Sequence, residues 1–310
     1  MEPLAAIIAT LRPRAASAKI ISGAGKWGVR YSQVDTAGFG LVLSGVCWLR
    51  IGPSEPVQLA EGDFVLMPPN PGFSIYSDAE AELVHLDPTA TIGLTELRHG
   101  DRECAEDFKL LGGYFWFEPA NAPLLAGLLP ALVHIRRGDP TAKRLTGLID
   151  LIAGEALGQR PGRDLIVERL IEVMLVEALR FQSNEVKALA RPGLLNGLAD
   201  PRLARALRCI HADVAHHWTV AKLAREAGLS RSTFSDRFTQ RIGMAPMEYV
   251  IHWRMALAKD LLLHESSPLE QVAAAIGYES ASAFSTAFRK QVGQPPSHFA
   301  RASAKQAHSG

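Results

Sequence analysis

The stretch AREAGLSRSTFSDRF, residues 224–238, recurs as AAAIGYESASAFSTAF, residues 273–288, and this duplication predicts the architecture of the C-terminal third of the chain. Alanine, glycine, serine and two phenylalanines recur in the same order, 49 residues apart before the turn and 50 after it. The match continues through Gly243 and Gly293, Pro246 and Pro296, and Tyr249 and Phe299. A repeat of this kind predicts two copies of one structural unit.

Each copy carries the residues that a helix-turn-helix requires. The repeated alanine allows two helices to cross closely, and Gly228 and Gly277 can adopt the left-handed backbone that ends the first helix. Ser230 and Ser280 can cap the second helix. The two phenylalanines of each copy lie four residues apart and therefore face the core together. The opposite face of each second helix is left for DNA.

That opposite face predicts the contacts with the double helix. We expect these side chains in the major groove: Ser232, Ser235, Asp236, Thr239, Ser282, Ser285, Thr286 and Arg289. Hydroxyls can donate or accept at base edges, Asp236 can accept from a cytosine amino group, and Arg289 can contact guanine or phosphate. Flanking cations are expected to contact phosphates without reading sequence: Arg231, Arg237, Arg241 and Lys290.

A long helical pattern, Met247–Leu263, joins the two copies without an internal glycine or proline. At 1.5 Å per residue its length is about 25 Å. Together with the width of the units, this spacer predicts contacts with adjacent major grooves, which lie about 34 Å apart on one face of DNA.

At this point the sequence resembles the AraC/XylS family of transcription regulators. The resemblance is carried by the duplicated units, by Trp253–Met255 in the joining helix, by Ile276–Ser280 before Phe284, and by Gln294–Phe299. It implies a cupin-like N-terminal sensor and dimerisation domain, and a C-terminal domain that binds promoter DNA to activate or repress transcription. An activator of this kind would also contact RNA polymerase.

The N-terminal region has the pattern of an antiparallel β domain. Short apolar runs are separated by glycine and proline turns at Gly38–Leu43, Val46–Ile51, Phe64–Met67, Phe73–Tyr76 and Leu83–Leu86. The polar stretch Leu94–Phe108 is interpreted as a surface loop, and Tyr114–Phe117 as a final strand.

Two amphipathic helices follow, at Leu145–Leu157 and Asp164–Phe181, and we expect them to form a hairpin that packs against itself, the β domain or a second subunit. The second helix could supply the seam of a homodimer. Turn residues between Gln182 and Pro201 place a boundary near residue 195. The predicted fold class is α+β: a cupin-like β domain with a helical hairpin over 1–195, and an all-α domain of two helix-turn-helix units over 196–310.

The charge distribution and the cysteines limit the possible partners and the cellular compartment of the protein. Residues 1–199 hold 19 Lys and Arg against 23 Asp and Glu, whereas residues 200–310 hold 14 against 9, so a net charge of +1 hides a modestly basic C-terminal part. Cys47, Cys104 and Cys209 lie too far apart in sequence to predict a disulfide framework or a zinc site. Leu4–Leu11 is too short for a signal peptide, and no stretch reaches membrane-spanning length. We expect a cytoplasmic protein without a cofactor.

The β domain offers a candidate effector pocket. Its expected lining is Trp48, Arg50, Phe64, Met67, Phe73 and Tyr76, with Arg50 orienting an anionic group. The alternative is a plain β core with Arg50 exposed. His85 is the only histidine of the β region, and His99 lies in the polar loop, so a metal-dependent cupin enzyme is disfavoured and we predict no metal site.

Three functions remain open at this stage. The favoured one is a sequence-specific transcription regulator responsive to a small molecule. The others are an architectural DNA-binding protein without a sensor, and a cupin-type enzyme that carries a DNA module.

Overall fold

The computed structural model describes residues 2–33, 36–69, 72–91, 94–117, 121, 132–139, 143–184, 192–264 and 267–307. They form two compact units. One contains the described residues within Met1–Arg12, Glu118–Gly127 and Val186–Gly310, and the other contains those within Pro13–Phe117 and Leu128–Glu185. The domain boundary near residue 195 stays a prediction.

The β unit is built from two sheets. Its strands are β1 (Arg14–Ala24), β2 (Gly28–Tyr31), β3 (Gly38–Ser44), β4 (Val46–Ile51), β5 (Val57–Ala60), β6 (Phe64–Met67), β7 (Phe73–Tyr76), β8 (Val84–Leu86), β9 (Glu96–Gly100), β10 (Phe108–Trp116) and β11 (Val133–Ile135). The strand order is β11-β6-β3-β10-β1-β9 in one sheet and β5-β4-β7-β2-β8 in the other. Apolar side chains of both sheets share one buried core.

Most pairings are antiparallel, as the alternating runs predict, but β9 and β8 pair in parallel with β1 and β2. The prediction of a loop over Leu94–Phe108 is wrong for Glu96–Gly100, which forms β9. Pairing with β1 makes this polar stretch a strand, and an edge strand with polar side chains lacks the apolar run by which β3, β4, β6, β7 and β8 were predicted. No strand was predicted at β1, β2, β5 or β11. The strand predicted at Tyr114–Phe117 belongs to the longer β10, which covers Phe108–Trp116, and it is not the final strand, because β11 follows it in the chain.

Two helices complete the β unit: α2 (Lys143–Leu157) and α3 (Arg163–Asn184), which pack against each other and against β1, β3 and β11. This confirms the predicted hairpin. Val167, Ile171 and Met174 form the buried stripe of α3, whereas Ile166 and Val173 are 43% and 50% exposed. The apolar residues of α3 therefore occupy two faces.

The other unit is all-helical. Its C-terminal helices are α4 (Leu194–Leu198), α5 (Pro201–Ala212), α6 (Val220–Ala227), α7 (Arg231–Ile242), α8 (Pro246–His264), α9 (Leu269–Ala275), α10 (Ala281–Val292) and α11 (Pro296–Ala307). The pairs α6–α7 and α9–α10 are the two predicted helix-turn-helix units. Helix α8 is the predicted joining helix, extended by one residue at each end.

The N-terminal segment also belongs to this helical unit. It forms α1 (Pro3–Leu11), whose first N–H groups donate to the carboxylate of Glu2. Ile7 and Leu11 are buried, and α1 packs against α5 and α8. Arg12 ends the helix with a left-handed backbone (φ 46°), and its Nε donates to Asp260 Oδ1 on α8 at 3.0 Å. The apolar run at the N-terminus is thus explained by packing on the helical unit.

Candidate nucleic-acid interface and ligand cavity

Helices α7 and α10 begin and end with the same local chemistry. Ser230 Oγ accepts from the N–H of Thr233 at 3.2 Å, and Ser280 Oγ accepts from the N–H of Ala283 at 3.1 Å. Both helices end at a glycine with positive φ, 90° at Gly243 and 85° at Gly293. Local hydrogen bonds therefore fix both ends of each helix, as the sequence predicts.

The two helices also bury equivalent faces. Phe234, Phe238, Phe284 and Phe288 are fully buried. Of the residues predicted to read bases, Ser232, Asp236, Thr239, Ser282, Thr286 and Arg289 are exposed, and Ser235 and Ser285 are partly buried. Each helix thus presents one polar, accessible face opposite its phenylalanines.

Two of the predicted reading hydroxyls already have partners within the protein. Thr286 Oγ1 donates to the Ser282 carbonyl oxygen at 3.1 Å, and Ser232 Oγ lies 3.2 Å from Ser230 Oγ. Such local bonds leave the oxygen lone pairs as acceptors or require a rotation about χ1 before a base is contacted. Arg289 is therefore the group on this surface with the greatest capacity to donate to a base edge.

The predicted phosphate contacts differ in their freedom. Arg231, Arg241 and Lys290 are exposed on or beside the helices. Arg237 instead donates from Nε to Asp200, whose carboxylate is almost fully buried and also caps α5 through the N–H groups of Arg202 and Leu203. Desolvation raises the pKa of Asp200, but these hydrogen bonds outweigh it and hold the pKa below the ordinary value. Arg237 thus anchors α7 to α5.

Arg254 on α8 makes contacts that join the regions of the two helix-turn-helix units. Its Nε donates to the Val214 carbonyl at 3.1 Å and one Nη donates to the His216 carbonyl at 2.9 Å. Its guanidinium also lies 5.7 Å from the centre of the Tyr278 ring. The sequence marks Arg254 through the Trp253–Met255 motif but gives it no task; in the structure it connects the loop before α6 to Tyr278 of the second helix-turn-helix unit.

A buried polar cluster lies between α5 and α8, next to the first helix-turn-helix unit, and the sequence analysis missed it. His211 Nε2 and the Tyr249 hydroxyl are 2.8 Å apart, and the imidazole packs against Trp253 at 4.4 Å between ring centres. Desolvation lowers the pKa of His211 to about 3, so the ring is neutral at neutral pH. Nothing in the local sequence pairs residues 211 and 249.

The β unit encloses a cavity between its two sheets. It is lined by Lys19, Ile21, Tyr31, Gly38, Phe39, Gly40, Leu49, Leu59, Val65, Met67, Phe73, Ile75, Thr91, Leu97, Leu110, Gly112, Gly113 and Tyr114. Of the predicted pocket residues, the structure brings only Met67 and Phe73 to this cavity.

Strand alternation explains why the other four lie elsewhere. On β4, Leu49 lines the cavity, so its neighbours Trp48 and Arg50 point to the opposite face. There they pair across the sheet with Tyr76 and Ser74 of β7. Phe64 likewise alternates with Val65 on β6. The predicted pocket therefore mixed two faces of the strands, because composition alone does not set which face points inward.

Lys19, Tyr31, Thr91 and Tyr114 are the polar lining residues that the sequence analysis missed. A lysine inside the apolar stretch Ala18–Ile21 is the signal that could have found the first of them.

The histidines of the β unit lie apart from this cavity. His85 on β8 is exposed, and His99 on β9 packs against Trp27, where desolvation lowers its pKa to about 4. Among the described residues, no group of three or more His, Cys, Asp or Glu side chains could hold a metal ion. No described helix has the length and apolar character needed to cross a membrane.

The chain is similar over nearly all its length to proteins of known class. Residues 2–182 match the sequence model of a family described as Cupin, and residues 223–302 match one described as Helix-turn-helix domain. An AraC-like transcription regulator of Streptomyces antibioticus is 36% identical over 301 residues, which are 96% of this chain and 98% of the relative. One of Streptomyces lividans is 36% identical over 304 residues, with the same coverage. The transcriptional regulator AlkR of Acinetobacter baylyi is 27% identical over 89% of this chain and 91% of its own.

Proposed function

The chain belongs to the AraC-like transcription regulators, with a cupin domain before its helix-turn-helix domain, and we propose that α7 and α10 read a specific promoter sequence under the control of a small molecule. The family places the chain among DNA-binding regulators, as the repeat predicts. The observation that carries the proposal is the equivalence of α7 and α10. Each has a serine cap, two fully buried phenylalanines and a polar face open to solvent.

The two reading faces suit DNA through different chemistry. In the first unit, Ser232, Asp236 and Thr239 offer mainly acceptors, whereas Arg289 gives the second unit a planar donor that can bind guanine in two hydrogen bonds. Arg231, Arg241 and Lys290 would contact phosphates and set the register. With Arg237 held by Asp200, we propose three phosphate cations on these helices, and Arg237 as a positioning residue.

Selection from a pool of genomic DNA fragments across salt concentrations tests this reading. We expect the retained fragments to share a short motif that spans two adjacent major grooves. Arg289→Ala should bind this motif at least about tenfold more weakly and should lose the base preference at one position of it. Arg102→Ala is the matched control, because Arg102 is exposed in the β unit and its loss removes the same charge. Uniform, salt-sensitive retention of all fragments would contradict sequence reading and favour an architectural protein.

We propose that the protein is a homodimer joined through α3. Ile166 and Val173 lie seven residues apart on its exposed face, with Leu170 between them. Exposed apolar stripes of this kind are typical of protein interfaces. Sedimentation of the Ile166→Asp, Val173→Asp double variant should give a monomer, whereas Val84→Asp, at a valine that is 63% exposed on β8, should leave a dimer. A wild-type protein that is monomeric at all working concentrations would contradict the dimer.

We further propose that the small molecule binds in the cavity of the β unit and acts by stabilising one state of the regulator over another. A regulator of this type needs no catalytic group, and we propose no enzyme activity for it. Its place would be the cytoplasm, where promoter DNA is found, and it would contact RNA polymerase there if it activates transcription.

A further inference from the structure

Lys19 is a buried cation in the wall of the cavity. It is 5% exposed, and its Nζ donates to the carbonyl oxygen of Thr91 and, at 2.7 Å, to Thr91 Oγ1. Among the residues that the structure describes, no carboxylate lies within ion-pairing distance of this ammonium. Desolvation lowers the pKa of Lys19. Removing an ammonium from water is costly unless an anion or further hydrogen bonds compensate for it, so the site favours a negatively charged partner.

The sheet register places Lys19 on the face of its sheet that lines the cavity. Lys19 on β1 pairs with Gly112 on β10, Gly112 pairs with Gly40 on β3, and Gly40 pairs with Val65 on β6. Residues paired across a sheet share a face, so the lysine side chain lies on the same face as two glycines in a row. Those two positions carry no side chain of their own, and Lys19, Gly112 and Gly40 all line the cavity.

Two phenols line the same cavity. Tyr31 is 4% exposed, its ring stacks on Phe73 at 4.6 Å, and its hydroxyl has no hydrogen-bond partner among the described residues. Burial raises the pKa of Tyr114 to about 12 and also raises that of Tyr31, so both hydroxyls stay protonated and can donate. A buried donor without a partner is uncommon in a folded protein and marks a position where a ligand could supply the acceptor.

We propose that this cavity binds a small monocarboxylate with an apolar body, its carboxylate held by Lys19 Nζ and the hydroxyls of Tyr31 and Tyr114. The Lys19 ammonium has three N–H donors and uses two of them in hydrogen bonds to Thr91, so one is left for the ligand. The remaining walls are almost entirely apolar, and of the described lining residues only Lys19 carries a charge. This inference deepens the proposed function, since it gives the chemical class of the effector.

Isothermal titration calorimetry of the full chain with hexanoate, octanoate and benzoate tests it, each compared with its neutral counterpart, 1-hexanol, 1-octanol and benzyl alcohol. We expect at least one carboxylate to bind wild-type protein at least tenfold more tightly than its alcohol. Lys19→Met keeps the length of the side chain but removes the charge and should abolish that preference. Tyr31→Phe removes one oxygen only and should weaken carboxylate binding about three- to tenfold.

Arg50→Met is the matched control, because Arg50 belongs to the same domain but points away from the cavity. The affinity of this variant for carboxylates should equal that of wild type. Equal binding of carboxylates and alcohols, no binding of any of the three acids, or a preference that survives Lys19→Met would each overturn the inference. The same preparations are assayed for binding to the selected DNA motif. Sequence-specific DNA binding without carboxylate binding overturns only the ligand class, whereas carboxylate binding without specific DNA binding overturns only the DNA reading.

Discussion

The two helix-turn-helix units share their local chemistry and differ in how they are anchored. Both second helices have the serine cap, the buried phenylalanine pair and the terminal glycine. The first unit is held by polar contacts made at a distance in sequence, through Arg237 to Asp200 and through Tyr249 to His211. At the positions that correspond to Arg237 and Tyr249, the second unit has Ala287 and Phe299.

The second unit is held by close packing instead. Its core joins Phe284, Phe288 and Phe299 to apolar residues of α8. Its turn glycine, Gly277, lies so close to the loop before α6 that an added Cβ would stand 2.3 Å from the Ala215 carbonyl oxygen. An added Cβ at Gly228 would meet only the Arg205 guanidinium at 3.4 Å. A repeat thus sets the shape of each unit, and its surroundings set what the unit can tolerate.

The largest expected difference separates the two turn glycines. Both have positive φ, 65° at Gly228 and 80° at Gly277, so alanine at either costs about 1–2 kcal/mol of strain. Gly277→Ala also collides with backbone, and we expect a total loss of roughly 3 kcal/mol or more in urea unfolding. Equal losses in the two variants would show that the close approach to Ala215 has no energetic weight.

The ion pair of the first unit should give the next largest effect. Arg237→Met leaves the buried Asp200 carboxylate without its guanidinium, and we expect a loss of about 1–3 kcal/mol in unfolding free energy. Since the folded pKa of Asp200 is depressed, its contribution is present above the unfolded pKa near 3.9 and is lost as pH falls through the folded value.

A double-mutant cycle with Asp200→Asn measures this pair directly. The double variant should be about 1 kcal/mol more stable than the sum of the losses in the two single variants predicts. Strict additivity would mean that Arg237 is not an anchor and is free to contact phosphate.

His211, on α5 beside the first helix-turn-helix unit, should make the stability of the protein depend on pH. His211 titrates near 3 in the folded protein and near 6.5 when unfolded, so the unfolded chain binds more protons between these values. Stability therefore falls as pH falls from 6.5 towards 3, by at most about 1.4 kcal/mol per pH unit for this one proton. Unfolding of His211→Gln across this range should show a smaller slope than wild type, and identical slopes would contradict a buried neutral ring.

Tyr249→Phe makes the first unit resemble the second at this position and should cost about 1–2 kcal/mol, because it leaves His211 Nε2 without its partner. Phe299→Tyr, in the second unit, offers no histidine to the new hydroxyl and should not be stabilising. Urea unfolding of the two variants at pH 7.5 checks both expectations.

The smallest difference concerns the caps of the first helices. Thr219 Oγ1 accepts from the N–H of Lys222 at 3.2 Å at the start of α6, whereas Pro268 at the start of α9 has no side chain that can do so. Thr219→Ala should cost about 0.5–1 kcal/mol, and Pro268→Ser should gain a few tenths in the same assay. A destabilising Pro268→Ser would show that the fixed φ of proline matters more there than a cap.

The β unit shows where prediction from sequence reaches its limit. Strands β3, β4, β6, β7 and β8 were predicted with bounds close to those observed, and β10 was predicted only in part. No strand was predicted at β1, β2, β5 or β11, and the polar edge strand β9 was interpreted as a loop, because its place in the sheet depends on pairing with β1. The pocket residues were chosen by type, and only Met67 and Phe73 face the cavity. A shift of one position along a strand reverses the face, and only contact with the other sheet decides which face points inward.

The sequence alone predicts the duplicated helix-turn-helix units, their caps and their turn glycines, because caps and turns depend on contacts between residues a few positions apart. The spacing of four also predicts which face of each second helix the phenylalanines share, although their burial depends on packing against other helices. Only the tertiary structure decided that Arg237 pairs with Asp200, that Arg12 pairs with Asp260 and that Lys19 rather than Arg50 faces the cavity. These contacts join residues far apart in the chain or depend on which face of a strand is covered. Such choices are fixed by packing between elements, which no local pattern records.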